Sequence, residues 1–191
     1  MEVKQALKHV YNTSQQENTT VYAVGGFVRD ALLGRDQKKD IDFMVDGSGL
    51  AFAQAFAAQF SEEEGRLIEF PDFDTARFLF LDREAKKVLL ELEFAGARKE
   101  EYEKGSRKPV VTRTSVEEDL SRRDFTVNAM AQKVEAEGLG EIIDPFFGQK
   151  DLEARVLKTP LDPDETFFDD PLRMLRAARF AAQLDFNIDP A

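Results

Sequence analysis

The sequence contains no cysteine and only one histidine, His9, among its 191 residues. The missing thiols exclude disulfides and thiolate metal sites, and a single histidine excludes histidine-based triads and His-rich zinc sites. Any bound metal must therefore use oxygen ligands, which suits Mg²⁺, Mn²⁺ or Ca²⁺. The sequence shows no signal peptide and no apolar run long enough to span a bilayer. We therefore expect a cytoplasmic protein without a membrane partner.

Tryptophan is absent and tyrosine is scarce, whereas phenylalanine occurs 17 times and supplies most of the aromatic content. With 42% hydrophobic residues, the chain can form one large or two small domains with a real core. The net charge of −11 repels nucleic acid overall, unless the basic side chains are clustered.

Helical and alternating hydrophobic patterns follow one another along the chain. They predict helices over residues 1–12, 27–33, 50–60 and 116–131, and a further helix that opens at Asp169-Asp170-Pro171. They predict strands over 21–24, 40–45, 77–81, 88–94 and 141–143, of which the third and fourth form a hairpin. Residues 99–116 and 160–168 are predicted to be loops. The sequence stops soon after the last helix, so we expect a fragment of a longer protein.

Asp40 and Asp42 alternate with apolar residues in a predicted strand, so their side chains share one face. Two close carboxylates repel each other unless a cation lies between them. Glu93, on another predicted strand, is a candidate third oxygen ligand, and Glu91 shares its face and stays an alternative. The competing interpretation is an exposed strand face with solvated acids.

Gly25 and Gly26 lie between a predicted strand and a predicted helix. Backbone amides at such a turn favour anions, and Arg29 would add charge-assisted bonds to a phosphate. The competing interpretation is a simple turn that needs positive φ. The Walker pattern is absent, which excludes a P-loop ATPase.

Two arginine-rich segments complete the candidate set. In "SRRDFTVNAMA" the apolar residues Phe125, Val127 and Met130 are expected to be buried, which leaves neighbouring polar groups at a boundary where they need partners. In "DDPLRMLRAARF" three arginines recur every third residue on one side of a helix, beside an expected apolar stripe. Arginines on one face of an acidic protein suggest an anionic ligand, although local ion pairs would also explain them. The polar residues are Arg123, Asp124 and Asn128, the three arginines Arg173, Arg176 and Arg179, and the stripe Leu172, Leu175 and Ala182.

Together these segments resemble the class II tRNA nucleotidyltransferases and bacterial poly(A) polymerases, within the DNA-polymerase-β-like nucleotidyltransferase superfamily. The resemblance runs from about Val21 to the C-terminus and implies an α/β (α+β) fold. A nucleotidyltransferase head over residues 1–147 would contain a small mixed sheet backed by helices, and a helical neck would start over 148–191. The resemblance rests on four motifs that occur in this order: "GGFVRDALLG" with "DID", "RRDFTVNAMA", "IIDPFFGQKDLEARVLKT" and "DDPLRMLRAARFAAQLDF".

The resemblance also implies a role for each candidate residue. Asp40, Asp42 and Glu93 would be the catalytic carboxylates and would bind Mg²⁺, with Mn²⁺ as an alternative. The triphosphate would be held at the glycine turn, the ribose would lie near Asp124, and the last helix would read the base. The implied nucleotide-binding residues are Gly25, Gly26, Arg29, Arg123, Asp124, Asn128, Asp170, Arg173, Arg176 and Arg179.

The implied reaction is template-independent addition of nucleotides to an RNA 3′ end, above all CCA addition to tRNA from CTP and ATP. Poly(A), CC-only and A-only addition stay open, and C-terminal domains beyond this chain would bind most of the RNA. Asp169 and Phe147 depart from the family's usual Glu and Gly, which bears on nucleotide choice rather than on the reaction. The alternatives from other classes are a non-catalytic nucleotide- or RNA-binding module with a degenerate fold and a small-molecule nucleotidyltransferase. The intact acids and arginines disfavour the first, and the last helix disfavours the second.

Overall fold

A computed structural model of the protein describes residues 1–35, 39–102 and 109–190. Within these ranges, no helix combines the length and apolarity that a membrane crossing requires. The helices are α1 (Val3–Gln16), α2 (Gly26–Leu32), α3 (Gly49–Ala57), α4 (Val116–Ser121), α5 (Gly148–Ala154), α6 (Pro163–Asp169) and α7 (Leu172–Leu184). The strands are β1 (Val21–Val24), β2 (Asp40–Val45), β3 (Gly65–Phe70), β4 (Thr75–Asp82), β5 (Lys87–Gly96), β6 (Arg98–Tyr102), β7 (Pro109–Arg113), β8 (Ala131–Glu135), β9 (Gly138–Ile143), β10 (Val156–Leu157) and β11 (Asn187–Ile188).

Seven strands form one mixed sheet in the order β3-β4-β5-β2-β1-β8-β9. β2 and β5 run parallel, and every other neighbouring pair in this sheet is antiparallel. The short pairs β6–β7 and β10–β11 are separate from it. The mixed sheet backed by helices is therefore confirmed, and the predicted β4–β5 hairpin is part of it.

The main hydrophobic core lies between one face of this sheet and helices α1 and α3. Alternation along β2 sends Ile41, Phe43 and Val45 into that core. Met44 points to the opposite face and packs in a second cluster, which includes Leu120 of α4. The aspartates of β2 lie together on this second face, as predicted, and they are exposed, as the competing interpretation of solvated acids also expects.

A third cluster joins the last part of the chain to the segment that precedes β8. Phe125 and Val127 pack there with Leu157, Phe180 and Leu184, and the rings of Phe125 and Phe180 meet edge to face at 6.0 Å. The predicted burial of the apolar residues in "SRRDFTVNAMA" is confirmed. Because Phe180 of this cluster also contacts Arg29 of α2, the cluster positions the arginines of α7 at the candidate site.

The first helix is longer than predicted, because α1 continues through the polar run and ends at Gln16. Thr13 and Ser14 are buried. Their hydroxyls donate to the carbonyl oxygens of His9 and Tyr11, at 2.9 and 2.7 Å. Hydroxyls that bond to the preceding turn of the same helix do not end it.

The helix predicted over 116–131 is wrong beyond Ser121. Ser115 caps α4 as expected, with its hydroxyl accepting from the amide of Glu118 at 3.2 Å. A 3-10 turn over Thr126–Asn128 and strand β8 follow. Residues 124–131 are all buried, so this segment lacks the polar face that a surface helix of that length would show.

Two predicted loops contain regular structure. Residues 160–168 include α6, where Asp162 accepts from the amide of Asp164 at 2.8 Å and Pro163 occupies the first turn. Residues 99–116 include most of β6 and all of β7, while 103–108 lie outside the described residues. Strand β3 was not predicted at all.

The expected apolar stripe of α7 is also wrong as a buried face. Leu172 and Leu175 are 65% and 70% exposed. The helix buries Ala177, Phe180 and Leu184 instead. These residues follow helical spacing and turn the arginines toward the sheet.

Candidate active site

Four carboxylates share one face of the sheet where β2 and β5 run side by side. We call them the acidic row. The parallel pairing sets Asp42 opposite Glu93 and Asp40 opposite Glu91. The predicted common face of the two aspartates is therefore present, and Glu93 rather than Glu91 is the cross-strand partner of Asp42. The row consists of Asp40, Asp42, Glu91 and Glu93.

The acidic row is electrostatically strained around Asp42. The pKa of Asp42 is raised, first because burial penalises the charged carboxylate and then because the negative charge of Glu93 is near. Asp40 also raises the pKa, while Arg123 and Arg77 lower it. The residue still has solvent-exposed surface, so packing around the carboxyl group removes part of its hydration without closing it to a ligand.

The donor chemistry of the row suits a hard divalent cation, since all four groups are carboxylates. However, no three His, Cys, Asp or Glu side chains of the described ranges are grouped closely enough to hold a metal ion. Glu93 is instead paired with Arg77, whose Nε lies 2.6 Å from its Oε2. The donor chemistry therefore fits a divalent cation, but Glu93 would have to leave Arg77 before it could join the two aspartates as a ligand.

The glycine turn lies beside the row. Gly25 has φ 70° and ψ −131°, a region that only glycine adopts readily, and its amide donates to the carbonyl of Met130 at 3.2 Å. An added Cβ would lie 3.0 Å from Nη1 of Arg123 and 3.9 Å from Oδ2 of Asp42. The missing side chain therefore lets the backbone approach both groups.

Arg29 is a buried part of the wall rather than a surface group, with an exposure of 1%. Its Nε and Nη2 both lie 2.8 Å from Oδ1 of Asp30, and its Nη1 donates to Oδ1 of Asn128 at 2.5 Å. The Asn128 amide donates in turn to Oδ1 of Asp124 at 3.0 Å. Arg29 thereby ties α2 to the segment before β8, and direct phosphate contact by its guanidinium would need these bonds to rearrange.

Arg123 occupies the space between the glycine turn and α4. Its Nη2 lies 3.1 Å from Oδ2 of Asp119. Its Nε is buried and finds no hydrogen-bond partner among the described residues. A buried donor without a partner costs about 1–3 kcal/mol, so this guanidinium retains unused capacity for an anionic ligand.

The start of α7 combines an arginine with an aspartate that immediately precedes the N-cap, Pro171. Asp170 accepts from the amide of Leu172 at 3.0 Å, and its Oδ2 is 4.0 Å from Nε of Arg173. Arg173 donates to the carbonyl oxygens of Arg122 and Thr166, at 2.6 and 3.3 Å. Asp170 and Arg173, both implied to bind the nucleotide, are therefore adjacent, and each also has a structural contact.

Phe180 anchors three guanidinium groups around one ring. Arg179, Arg176 and Arg29 lie 4.7, 5.3 and 5.4 Å from its centroid, distances typical of cation–π contacts. Arg176 also forms an ion pair with Asp124, with 2.6 Å between Nη2 and Oδ2. The ring therefore gathers charges from α2 and α7 at one place.

These groups line a cleft of about 550 Å³ between the sheet and α7. Every predicted nucleotide-binding residue contributes to it, together with Asp42, whereas Asp40 and Glu93 lie outside its lining. Six arginines face three aspartates there, so the cleft is basic within a chain of net charge −11. The lining residues are Gly25, Gly26, Arg29, Asp42, Arg122, Arg123, Asp124, Asn128, Asp170, Arg173, Arg176, Arg179, Phe180 and Gln183.

The sequence patterns missed four residues of this site. Phe180 and Gln183 continue the arginine face of α7 at helical spacing, which could have indicated them. Arg122 is adjacent to a candidate residue and supplies a carbonyl to Arg173. Arg77 pairs with the acidic row only through the register of the β4–β5 hairpin, which the sequence does not reveal.

Comparison with known proteins defines the class to which this fold and cleft belong. Residues 21–158 match the family described as "Poly A polymerase head domain". The chain therefore belongs to the poly(A) polymerase head-domain family, and the resemblance in the sequence is confirmed. Nucleotidyltransferases of this family use divalent metal ions.

Two relatives show the range of names within the family. The A-adding tRNA nucleotidyltransferase of Aquifex aeolicus is 42% identical over 167 residues, which cover 87% of this chain and 19% of the relative. The CCA-adding enzyme of Bacillus licheniformis is 38% identical over 171 residues, covering 88% of this chain and 38% of the relative. The chain thus spans less than half the length of each of these two relatives.

Solved structures agree in fold. A CCA-adding enzyme in its apo form II has a TM-score of 0.78 and 35% identity, and the match covers 99% of this chain and 42% of that one. A tRNA nucleotidyltransferase complexed with a primer tRNA and an incoming ATP analog has a TM-score of 0.74 and 36% identity. That match covers 95% of this chain and 46% of the other.

Proposed function

We propose that the protein to which this chain belongs adds nucleotides to RNA 3′ ends without a template, with CCA addition to tRNA from CTP and ATP as its reaction. The main observation in support of this proposal is the cleft, which brings all of the predicted nucleotide-binding residues together beside Asp42. Relatives that are named A-adding and CCA-adding tRNA nucleotidyltransferases support this proposal.

In this proposal the cleft binds the nucleotide and the acidic row faces its α-phosphate. Asp40, Asp42 and Glu93 would hold Mg²⁺, or Mn²⁺ in its place. Such ions stabilise the attacking and leaving oxygens of an in-line displacement. The RNA 3′-hydroxyl loses its proton to solvent as its oxygen bonds to the α-phosphorus, the bond from this phosphorus to the α,β-bridging oxygen breaks, and pyrophosphate leaves. No protein nucleophile takes part.

The chain's own residues bind and orient the nucleotide. The turn at Gly25 and Gly26 allows phosphate oxygens to approach the backbone. Arg29 supports the helix that follows this turn through its hydrogen bonds to Asp30 and Asn128. Arg123 offers its unpartnered buried Nε to the phosphates. Asp124 and Asn128 are held rigidly by hydrogen bonds on the ribose side. The remaining group, which faces the base and the outer phosphates, consists of Asp170, Arg173, Arg176 and Arg179.

A-only addition is the second candidate function. It is favoured by two relatives that are named A-adding tRNA nucleotidyltransferases and are 42% and 40% identical to this chain. Poly(A) and CC-only addition are further outcomes that the same assay separates. We also infer that residues 1–147 form the head and 148–191 the start of the neck, and that the protein acts in the cytoplasm.

The test uses the full-length protein with two tRNA transcripts, one that lacks CCA and one that ends in CC, and each NTP separately and together. CCA addition predicts CTP incorporation on the first transcript and a single AMP on the second. A-only addition predicts that only the second transcript is extended. Asp42→Asn is the inactive control. No extension of either transcript by the wild-type protein would contradict the proposal.

A further inference from the structure

Arg77 contacts the acidic row from the neighbouring strand. The antiparallel register of β4 and β5 sets Arg77 opposite Glu93, and the parallel register of β5 and β2 sets Glu93 opposite Asp42. The three side chains therefore form one line across the sheet, with one positive charge followed by two negative charges. Glu93 therefore lies between a cation that attracts it, Arg77, and an anion that repels it, Asp42.

The guanidinium of Arg77 engages both glutamates of the row. Its Nε lies 2.6 Å from Oε2 of Glu93, and its Nη1 lies 3.3 Å from Oε1 of Glu91. It also lies over the ring of Phe70, 5.7 Å from the centroid. These contacts hold the guanidinium in one place, although the side chain is 46% exposed.

The contacts of Arg77 explain why the row lacks a ready metal site. The register brings two aspartates and Glu93 to one face, yet no group of three such side chains is close enough for a metal among the described residues. The ion pair directs the Glu93 carboxylate toward β4 and neutralises part of the row. Among the charged neighbours of Asp42, Glu93 repels it most strongly. A counterion that neutralises Glu93 therefore weakens the largest repulsion within the row.

We propose that Arg77 is a positioning residue that serves as the internal counterion of the acidic row and lowers its affinity for a divalent cation. This inference rests on the proposed assignment of Asp40, Asp42 and Glu93 as metal ligands. A cation that binds there must draw Glu93 away from Arg77, or must bind in the field of a neighbouring positive charge. Both effects oppose binding, and both disappear when the guanidinium is removed.

The direction of the effect follows from Coulomb's law. A neutral residue at position 77 makes the local potential more negative and leaves Glu93 free to rotate toward Asp42. Because Arg77 is partly exposed, solvent screens much of the interaction. We therefore expect cation affinity to rise by about three- to tenfold rather than by orders of magnitude.

The experiment measures Mn²⁺ binding to the 191-residue chain by electron paramagnetic resonance, which detects free Mn²⁺ directly. The test variant is Arg77→Gln, and Arg77→Met replaces it if that variant does not fold. Arg66→Gln is the matched control, because Arg66 is exposed on the same face of the sheet, one strand further from the row. Arg77→Lys tests whether charge alone restores the wild-type affinity to within about twofold.

We expect Arg77→Gln to bind Mn²⁺ more tightly than the wild type and Arg66→Gln to bind it equally well. When Glu93→Gln is added to the wild type and to Arg77→Gln, the difference in affinity between these two proteins should disappear. Unchanged or weaker binding by Arg77→Gln, or an equal gain in Arg66→Gln, would overturn the inference. The variant Asp42→Asn distinguishes failure of the metal assignment from failure of the role proposed for Arg77. If it leaves wild-type Mn²⁺ binding intact, the metal assignment fails, whereas if it abolishes binding and Arg77→Gln has no effect, only the role of Arg77 fails.

Discussion

Arg176 and Asp124 form an ion pair that joins helix α7 to the segment before β8, with 2.6 Å between Nη2 and Oδ2. Asp124 is only 6% exposed and also accepts from the amide of Phe125 and from Asn128. The carboxylate is thus surrounded by donors from two parts of the chain. Because both residues line the cleft, the contact that fixes α7 also shapes the candidate site.

We predict that Arg176→Met destabilises the chain by about 1–3 kcal/mol, because it removes a charged donor from a buried carboxylate. The methionine retains most of the aliphatic packing, so the loss reports the ion pair. Urea unfolding of the 191-residue chain measures it. Lys158→Met is the control, since the Lys158–Asp189 pair is long, at 3.9 Å, and Lys158 is exposed. Equal stability losses in the two variants would contradict the assignment.

We predict that Gly25→Ala lowers nucleotide affinity more than it lowers stability. Its backbone conformation excludes a side chain, and the new Cβ would displace the flexible end of Arg123 from 3.0 Å. Isothermal titration with MgATP measures the affinity, and urea unfolding measures the stability. Gly34→Ala is the control, because Gly34 also has positive φ, 63°, but no atom within 4 Å of its Cβ position. If both variants lose affinity equally, the turn does not act through Arg123.

The sequence predicted the elements of the site better than their contacts. Strand β2, the glycine turn and helix α7 follow from local patterns, so the common face of Asp40 and Asp42 could be foreseen. The structural role of Arg29 could not. Its partner Asn128 is 99 residues away in the chain, and no periodicity reports a buried contact at that distance.

Arg77 shows why the pairing of the hairpin could not be read from the sequence. A regular hairpin that pairs Leu81 with Val88 would set Arg77 opposite Leu92, which points to the other face. The register shifts between Phe80 and Leu81, and this irregularity sets Arg77 opposite Glu93 instead. A β-bulge changes which face each side chain takes. Because the sequence pattern does not show this bulge, the pairing of Arg77 with Glu93 could not be predicted.

We predict that Asp42→Asn stabilises the metal-free chain at neutral pH. The pKa of Asp42 is raised in the folded state, so the folded chain binds more protons than the unfolded one above the ordinary Asp pKa of about 4. Stability therefore falls as pH rises from that value through the raised pKa, and the asparagine removes this loss. Urea unfolding in EDTA between pH 3 and pH 7 tests it, with exposed Asp72→Asn as control. A difference that is absent at pH 7, or that persists at pH 3, would contradict the prediction.

We predict that the 191-residue chain binds MgATP and MgCTP but binds tRNA weakly at physiological salt. The arginines of the cleft supply local positive charge, whereas the chain as a whole carries −11. Affinity for a phosphate backbone depends on lysine and arginine contacts along its length. Calorimetry with each nucleotide and fluorescence anisotropy with labelled tRNA provide the measurements. Tight tRNA binding by this chain alone would refute the prediction.

The last prediction concerns how the start of α7 reads a base. Asp170, which precedes the N-cap Pro171, accepts from the amide of Leu172 in the first turn of α7, and its second oxygen is 4.0 Å from Nε of Arg173. A carboxylate only accepts hydrogen bonds and a guanidinium only donates them. Cytosine and adenine both offer an amino donor beside a ring-nitrogen acceptor, which this pair can match. Uracil and guanine present a carbonyl at the amino position, which Asp170 would oppose.

Asp170→Asn separates the contact with the Leu172 amide from base reading, because an asparagine side-chain oxygen can accept from that amide as aspartate does, while its amino group offers a donor to a carbonyl. We expect this variant of the full-length enzyme to retain its stability while discrimination against UTP and GTP falls at least about tenfold, since an unmatched buried polar group costs about 1–3 kcal/mol. Incorporation of all four NTPs measures the preference. Asp170→Ala should lose both the hydrogen bond from the Leu172 amide and the discrimination, and Arg173→Lys should lose discrimination because it lacks the planar fork. If Asp170→Asn keeps the wild-type preference while Asp170→Ala is only less stable, the aspartate only stabilises the first turn of α7 and the base is read elsewhere.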